Sequence, residues 1–140
     1  MTPQELFELA LSYYNGTDNI PQDYLKAYDL FLDAAEHGHV GAQSYLGRML
    51  SMGEGVEKNL KIAKYWAWLD FVSLPESSRN KSILYLIIEP EDRDENSYIN
   101  FKKIIEDAAE AGERDALNNL ATHLKHSGDN EKALALWQRA

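Results

Sequence analysis

The sequence lacks cysteine entirely and contains no long apolar run. The absence of cysteine excludes disulfide frameworks, thiolate zinc sites, iron–sulfur clusters and cysteine nucleophiles. The longest apolar run, Ile83–Ile88, is far too short to span a bilayer, which predicts no membrane insertion. The first ten residues include Glu5 and Glu8 and have no basic start or long apolar stretch, so the sequence predicts no signal peptide and a soluble, cytoplasmic protein.

Positive charge is also scarce. Lys and Arg number 14 against 23 Asp and Glu, which gives a formal net charge of −9. This charge disfavours binding to nucleic acid and to anionic membrane surfaces, and it leaves a basic protein partner open. The 140 residues, of which 44% are hydrophobic and 11% aromatic, predict one folded domain over residues 1–140.

The main feature that is present is an internal repeat. The segment Asp33–Gly38 is echoed by Asp107–Gly112, and alignment of the flanking residues gives four copies at about 4–38, 39–74, 75–112 and 113–140. Each copy has a candidate N-cap before its second helix, a residue whose side-chain oxygen accepts a bond from a free N–H group of the first turn. These candidates are Asp23, Asn59, Ser97 and Asp129.

Small and large apolar residues recur at fixed places in the copies, a pattern typical of closely packed helices. Four residues after the cap stands an alanine in three copies, with Phe101 as the exception. We expect the core to contain Ala27, Ala63 and Ala133 in these slots, then Leu30, Phe31, Trp66, Ala67, Ile104, Ile105, Leu136 and Trp137, and in the first helices Leu9, Ala10, Leu46, Gly47, Leu120 and Ala121.

The repeat predicts eight helices and several of their ends. Thr2–Glu5 and Ser73–Glu76 each match a capping box with an early proline, which supports the starts of the first and fifth helices. Gly38 and Gly112 follow the Ala-rich ends of two helices, where a residue tolerant of positive φ commonly ends a helix. The predicted helices are roughly 4–15, 23–37, 41–52, 59–72, 76–89, 97–111, 114–126 and 129–140.

The second copy carries the fullest motif: Ala42, Leu46, Gly47, Gly53, Gly55, Val56, Asn59, Ala63 and Trp66. It resembles the Sel1-like repeat, a relative of the tetratricopeptide repeat, and the resemblance covers nearly the whole chain. The resemblance implies an all-α fold, a right-handed α/α superhelical solenoid of about four antiparallel helix pairs. Stacking is also favoured physically, because one helix pair cannot bury its apolar face alone. The third copy departs from the motif, with Leu84 in the small slot and Leu74 in place of the terminal glycine.

Metal, cofactor and catalytic patterns are weak. His37 and His39 flank a turn and His123 and His126 lie three apart, but no acidic ligand stands at a recognisable spacing, so we predict solvated or hydrogen-bonded histidines and no metal. The segment that starts at Asp92 begins like a calcium loop but lacks the glycine and the final glutamate, which favours a solvated acidic loop. With no nucleophile elbow, phosphate loop or dinucleotide pattern, we predict a protein that is not an enzyme and has no cofactor.

The favoured function is a protein-interaction module or adaptor that binds a protein or peptide partner on its helix-lined surface, as the resemblance implies. Exposed aromatic, Met and Arg residues are enriched at interfaces. Outside the core slots, the candidate contact residues are Tyr14, Tyr45, Arg48, Met52, Trp68, Asn119 and His123.

Two alternatives remain open at this point. An immunity protein that neutralises a basic toxin would fit the small size and acidity, and its association rate should fall steeply with salt. A hydrolase is known among cysteine-rich relatives of the Sel1-like repeat, but this sequence has no cysteine. The sequence ends before the last helix completes its motif, which predicts an apolar edge at Leu136 and Trp137 that is open to self-association or to a partner.

Overall fold

The computed structural model describes residues 1–96 and 98–126, and over these residues the regular structure is helical. Two short 3-10 helices, at Glu76–Lys81 and Pro90–Asp92, lie between the α-helices, and one isolated antiparallel bridge joins Arg93 to Ile99. The α-helices are α1 (Pro3–Asn15), α2 (Tyr24–Glu36), α3 (Val40–Met52), α4 (Leu60–Ser73), α5 (Leu84–Ile87), α6 (Phe101–Glu110) and α7 (Arg114–His126).

Local hydrogen bonds explain where the first helices begin. The Thr2 side chain accepts from the Glu5 amide while the Glu5 carboxylate accepts from the Thr2 amide, which confirms the first capping box. Asp23 and Asn59 cap α2 and α4 as predicted, each accepting from the amide three residues later. The Asp129 cap lies outside the described residues.

Residues Met1–Ile87 form one compact unit in which each α-helix packs against the next in chain order. Ala27, Ala63, Phe31 and Trp66 are fully buried, as the repeat predicts. A Cβ on Gly47 would lie only 3.3 Å from the Ala67 Cβ, so glycine allows α3 and α4 to approach closely. Most of the predicted small and large core residues of this unit are buried, but Leu9 and Leu30, also predicted as core, are only half-buried.

The fifth predicted helix, 76–89, does not form as one element. The chain instead makes the 3-10 helix Glu76–Lys81, an extended residue at Ser82, and the four-residue helix α5. The start predicted from Ser73–Glu76 is wrong: Pro75 is the N-cap of the 3-10 helix, and Ser73 is the last residue of α4, where its hydroxyl donates to the Asp70 carbonyl at 2.6 Å. Ser82 accounts for the break, because its hydroxyl accepts from the Leu84 amide and thereby competes with helical bonding.

The described residues between Ile88 and His126 form a second compact unit, in which α6 packs against α7. The predicted start of α6 is wrong: the N-cap is Asn100, whose side chain accepts from the Lys103 amide, and Phe101 is half-exposed rather than in a core slot. Ile104, Ile105, Ala108 and Ala109 are buried, so the repeat register is kept and α6 lacks only its first turn. Ser97, Ala133, Leu136, Trp137 and the predicted helix 129–140 lie outside the described residues.

The loop before α6 is not simply a solvated acidic loop. Asp92 is 1% exposed, and its carboxylate accepts from the Glu89 amide at 3.0 Å and from Lys103 Nζ at 3.1 Å. Lys103 Nζ also donates to Asp107 at 3.0 Å, and these two carboxylates raise the lysine pKa. Asp94 and Glu95 are exposed as predicted, but Asp92 is a buried anchor of the loop on α6, where the pairing compensates its lost hydration.

Candidate functional site

The first unit contains an open cavity of about 640 Å³. It lies between the end of α1, the middle of α3, the last turns of α4 and the α5 segment. Its wall combines aromatic, apolar, cationic and anionic side chains, the mixture expected where a protein segment is recognised. The lining residues are Tyr14, Asn15, Ser44, Tyr45, Arg48, Asp70, Ile83 and Leu86.

Aromatic packing holds the Tyr45 side of the cavity in place. The Tyr45 ring stacks on Phe31 with centroids 4.7 Å apart and an interplanar angle of 12°. Tyr14 meets Tyr45 edge-on at 5.1 Å, and Phe7 meets it edge-on at 5.9 Å. Because each ring is restrained by its neighbours, the wall is preorganised rather than free to collapse.

Polar contacts connect Tyr14 and Arg48 to Glu54, which lies in the turn after α3. The Tyr14 hydroxyl donates to both carboxylate oxygens of Glu54 at 2.9 Å, and Arg48 Nε donates to Glu54 Oε1 at 3.4 Å. Burial, and then the neighbouring Glu54 carboxylate, raises the pKa of Tyr14 to about 12. Tyr14 therefore remains a protonated donor at physiological pH, while the Arg48 side chain stays 53% exposed.

Replacing Tyr14 with phenylalanine is expected to lower the free energy of unfolding by about 1–2 kcal/mol, because the poorly exposed Glu54 carboxylate loses its hydroxyl donor. Tyr45→Phe is the matched control, since within the described part of the chain its hydroxyl makes no hydrogen bond. Urea denaturation followed by circular dichroism measures both. Equal stability of the two variants would contradict a contribution from the Tyr14–Glu54 bond.

Asp70 is the buried acid of the cavity. Its side chain is on α4, the residue is 7% exposed, and Ser82 Oγ donates to its Oδ2 at a long 3.5 Å. Among the described side chains no lysine or arginine forms an ion pair with it. Burial raises the pKa of Asp70 above its ordinary value, and the Ser82 hydrogen bond offsets this only in part. A buried carboxylate that lines an open cavity and has no ion-pair partner among the described side chains is unusual for a purely structural residue.

Asp70→Asn is expected to leave the unfolding free energy unchanged or to raise it at pH 7. The folded-state pKa of Asp70 lies above the unfolded value, so the ionised carboxylate disfavours the folded state above that pKa. As the pH falls through the raised pKa, the aspartate becomes neutral and the advantage of the asparagine variant should shrink. Denaturation midpoints measured from neutral to acidic pH test this, and a variant less stable than the parent at pH 7 would contradict it.

The structure brings three of the seven predicted contact residues together, since Tyr14, Tyr45 and Arg48 line this cavity. Met52 is on the same helix as Tyr45 and is 63% exposed, but it lies outside the cavity lining. Trp68, on α4, is half-buried and also lies outside the lining.

The two remaining predicted residues belong to the second unit. Asn119 is on α7 and is half-buried. His123 is on the same helix, but its side chain lies outside the described residues. Both stay predictions as contact residues.

Five lining residues were not predicted: Asn15, Ser44, Asp70, Ile83 and Leu86. A sequence signal existed for Asp70. Counting from the caps Asn59 and Asp23, Asp70 occupies the slot that Ala34 fills in the preceding copy. An acidic residue in a core alanine slot is the pattern that should have marked it.

The histidines of the first unit have structural partners. His39 caps α3, with Nδ1 accepting from the Ala42 amide and Nε2–H donating to Gln4 Oε1 at 2.8 Å. His37 Nδ1–H donates to the Asp33 backbone carbonyl at 2.8 Å, and an Asp33 carboxylate oxygen lies 3.2 Å from the same nitrogen. The prediction of hydrogen-bonded histidines is thus confirmed for this pair, and over the described residues no cluster of His, Asp and Glu with metal-binding geometry occurs. No helix in that part of the chain is long and apolar enough to cross a membrane.

Comparison with known proteins identifies the repeat. A model of the Sel1 repeat matches residues 6–39, 40–67 and 114–140, more than half of the chain. The chain belongs to the Sel1 repeat family. Sel1 repeat proteins are typically protein–protein interaction modules, and they are generally non-enzymatic scaffolds. The unmatched residues 68–113 include the interrupted helix and the loop before α6.

Solved structures share the fold of this Sel1 repeat chain. A Sel1 repeat protein from Oxalobacter formigenes is 25% identical with a TM-score of 0.54, over 98% of this chain and 57% of that chain. The antigen c5321, a protective antigen of uropathogenic Escherichia coli strains with an SLR fold, is 23% identical with a TM-score of 0.52, over 98% of this chain and 30% of that chain. The chain therefore spans less than two thirds of either protein. A search of curated proteins gave no match. The predicted all-α Sel1-like repeat fold is confirmed.

Proposed function

We propose that this Sel1 repeat chain is a non-enzymatic adaptor that holds an extended peptide segment of a protein partner in the cavity of its first unit. The observation that carries the proposal is the convergence of Tyr14, Tyr45 and Arg48 in one preorganised cavity. Tyrosine and arginine dominate binding energy at protein interfaces, because each combines a large apolar surface with polar donors. The Sel1 repeat fold supports protein binding as the class of function, and the cavity supports the location of the binding site.

The rim of the cavity also favours a peptide. Leu86 is 84% exposed on α5, and Tyr85 beside it is 44% exposed. These side chains supply apolar area that a partner would remove from water, and burying one leucine stabilises a complex by roughly 1.5–3 kcal/mol. Arg48 keeps free guanidinium donors that suit the backbone carbonyls of an extended peptide, because Glu54 engages it only through Nε.

A displayed random peptide library selected on the intact chain tests this function. We expect selected peptides whose dissociation constants, measured by fluorescence anisotropy, rise about tenfold or more in Leu86→Ala, since that change removes roughly 1.5–3 kcal/mol of burial. Arg48→Ala should also weaken them. Leu25→Ala is the matched control, because it removes the same side chain from another exposed position. Leu25 is on α2, is 58% exposed and lies outside the cavity lining.

Two binding results would overturn the proposal that the cavity holds the peptide. Peptides that bind the Leu86→Ala and Leu25→Ala variants with the same affinity as the parent chain do not use the cavity. A selection that yields no peptide would also contradict it. Circular dichroism of each variant confirms that a loss of binding is not a loss of folding.

A further inference from the structure

We propose that the cavity is a pocket for a basic side chain of the partner, an arginine or a lysine, with the Asp70 carboxylate as its counter-ion. The proposal rests on the proposed function and names the chemistry of its partner. It starts from the position of Asp70, which is nine-tenths buried yet lines an open cavity. The folded chain already bears the cost of removing this carboxylate from water, so a cation that enters gains a strong, charge-assisted partner.

The carboxylate has unused acceptor capacity. An ionised aspartate has two oxygens with about four acceptor sites. Within the described residues its only side-chain hydrogen bond is the long one from Ser82 to Oδ2. A guanidinium or an ammonium group can therefore bind Oδ1 without displacing a protein donor.

The cavity wall matches the rest of an arginine or lysine side chain. Ile83, Leu86 and the Tyr45 ring supply apolar surface for the methylene stem. Long basic side chains bury such stems along apolar surface while the charged head finds a polar partner. An acidic group would instead meet the buried carboxylate and be repelled, and a neutral group would leave it unpaired.

The other charges beside the cavity do not oppose this assignment. Arg48 forms an ion pair with Glu54 at 3.4 Å, so its charge is compensated locally. Asp70 then supplies the remaining charge, which is negative. The net charge of −9 on the whole chain attracts a basic partner over longer distances.

Comparison of the repeat copies indicates that Asp70 is not required for helix packing, which favours a role in binding. The slot of Asp70 holds Ala34 in the preceding copy, and that alanine is fully buried. The helix packing thus needs only a small side chain at this place. A charged residue in such a slot lowers stability unless it binds something, as expected of a residue kept for recognition.

The test uses labelled hexapeptide libraries with one fixed central residue: arginine, its neutral isostere citrulline, norleucine or glutamate. We expect the arginine library to bind about tenfold or more tightly than the citrulline library, and the glutamate library to bind weakest. In Asp70→Asn the arginine preference should fall close to onefold, while the affinity for the citrulline library changes little. Asp29→Asn removes the same charge from the exposed face of α2 and should keep the preference.

Asp70→Ala provides a second variant that is expected to fold, because alanine fills the equivalent slot elsewhere in the chain. An arginine preference that persists in both Asp70 variants would overturn the inference, as would equal binding of arginine and citrulline by the parent chain. If Leu86→Ala still weakens the peptides in that case, the proposed function stands and only the basic-residue assignment fails. If Leu86→Ala has no effect either, the cavity itself is not the binding site.

Discussion

Truncating Trp66 to alanine is expected to lower the free energy of unfolding of the first unit by about 3–5 kcal/mol. The side chain is fully buried on α4 and packs edge-on against Tyr65 with centroids 5.2 Å apart. Its indole N–H has no hydrogen-bond partner among the described residues, so the expected loss comes from packing and from the cavity left behind. Most single domains have total stabilities of only about 5–15 kcal/mol, so this loss should bring the unit close to unfolding at ordinary temperature.

Trp68→Ala is the control for that prediction. Trp68 lies two residues along the same helix and is only half-buried, so its truncation should cost clearly less. Far-ultraviolet circular dichroism during urea denaturation is the suitable measurement, because tryptophan fluorescence itself changes in both variants. Equal losses for the two variants would contradict the assignment of Trp66 as a central core residue.

Gly55→Ala is expected to cost about 2–5 kcal/mol, from two separate causes. Gly55 has φ of +74°, where a non-glycine residue is strained. In addition, a Cβ there would collide with the Tyr24 Cβ and would lie 3.0 Å from the Tyr24 carbonyl carbon at the start of α2. The turn after α3 therefore needs glycine both for its backbone and for its contact with the preceding helix pair.

Gly53 allows these two causes to be separated. It lies in the same turn with φ of +73°, but the nearest atoms to an added Cβ are 3.7 Å away. Gly53→Ala should thus cost only the left-handed strain, about 1–2 kcal/mol. Thermal unfolding of both variants measures the difference, and a Gly53 variant as unstable as the Gly55 variant would show that the contact with Tyr24 contributes nothing.

The parts of the fold that could be predicted are those governed by local chemistry and by repetition. The caps at Thr2, Asp23 and Asn59 follow from side-chain oxygens within reach of the next amides. The buried alanines and their large partners Phe31 and Trp66 follow from the recurring spacing of the copies. Both kinds of signal are complete within a short stretch of sequence.

The interrupted helix could not be predicted in the same way. Periodicity over 76–89 indicates a helix, but the Ser82 hydroxyl accepts from the Leu84 amide, and this local bond competes with helical bonding. The spacing of apolar residues does not report whether a serine inside a periodic segment makes such a bond. The same break places Ile83 and Leu86 on the cavity, so the missed element and these two missed site residues have one cause.

The start of α6 illustrates a related limit. Alignment with the first copy indicates a cap at Ser97, since it matches Asp23 in the repeat register. The loop instead pairs Asp92 with Lys103, and the Asn100 amide donates to the Asp92 carbonyl at 2.8 Å. Because of these contacts between loop and helix, α6 begins about one turn later than predicted. The repeat pattern does not indicate them.

The most direct test of the central claim, that the cavity of the first unit binds the partner peptide, is amide chemical-shift mapping by NMR of the intact chain with a peptide selected on it. We predict that the largest shifts on titration fall on Ser44, Tyr45, Arg48, Asp70 and Leu86, and that the outer face of α2 around Leu25 stays unperturbed. Largest shifts on α2, or around Asn119 on α7, with little change at the cavity residues, would contradict the claim.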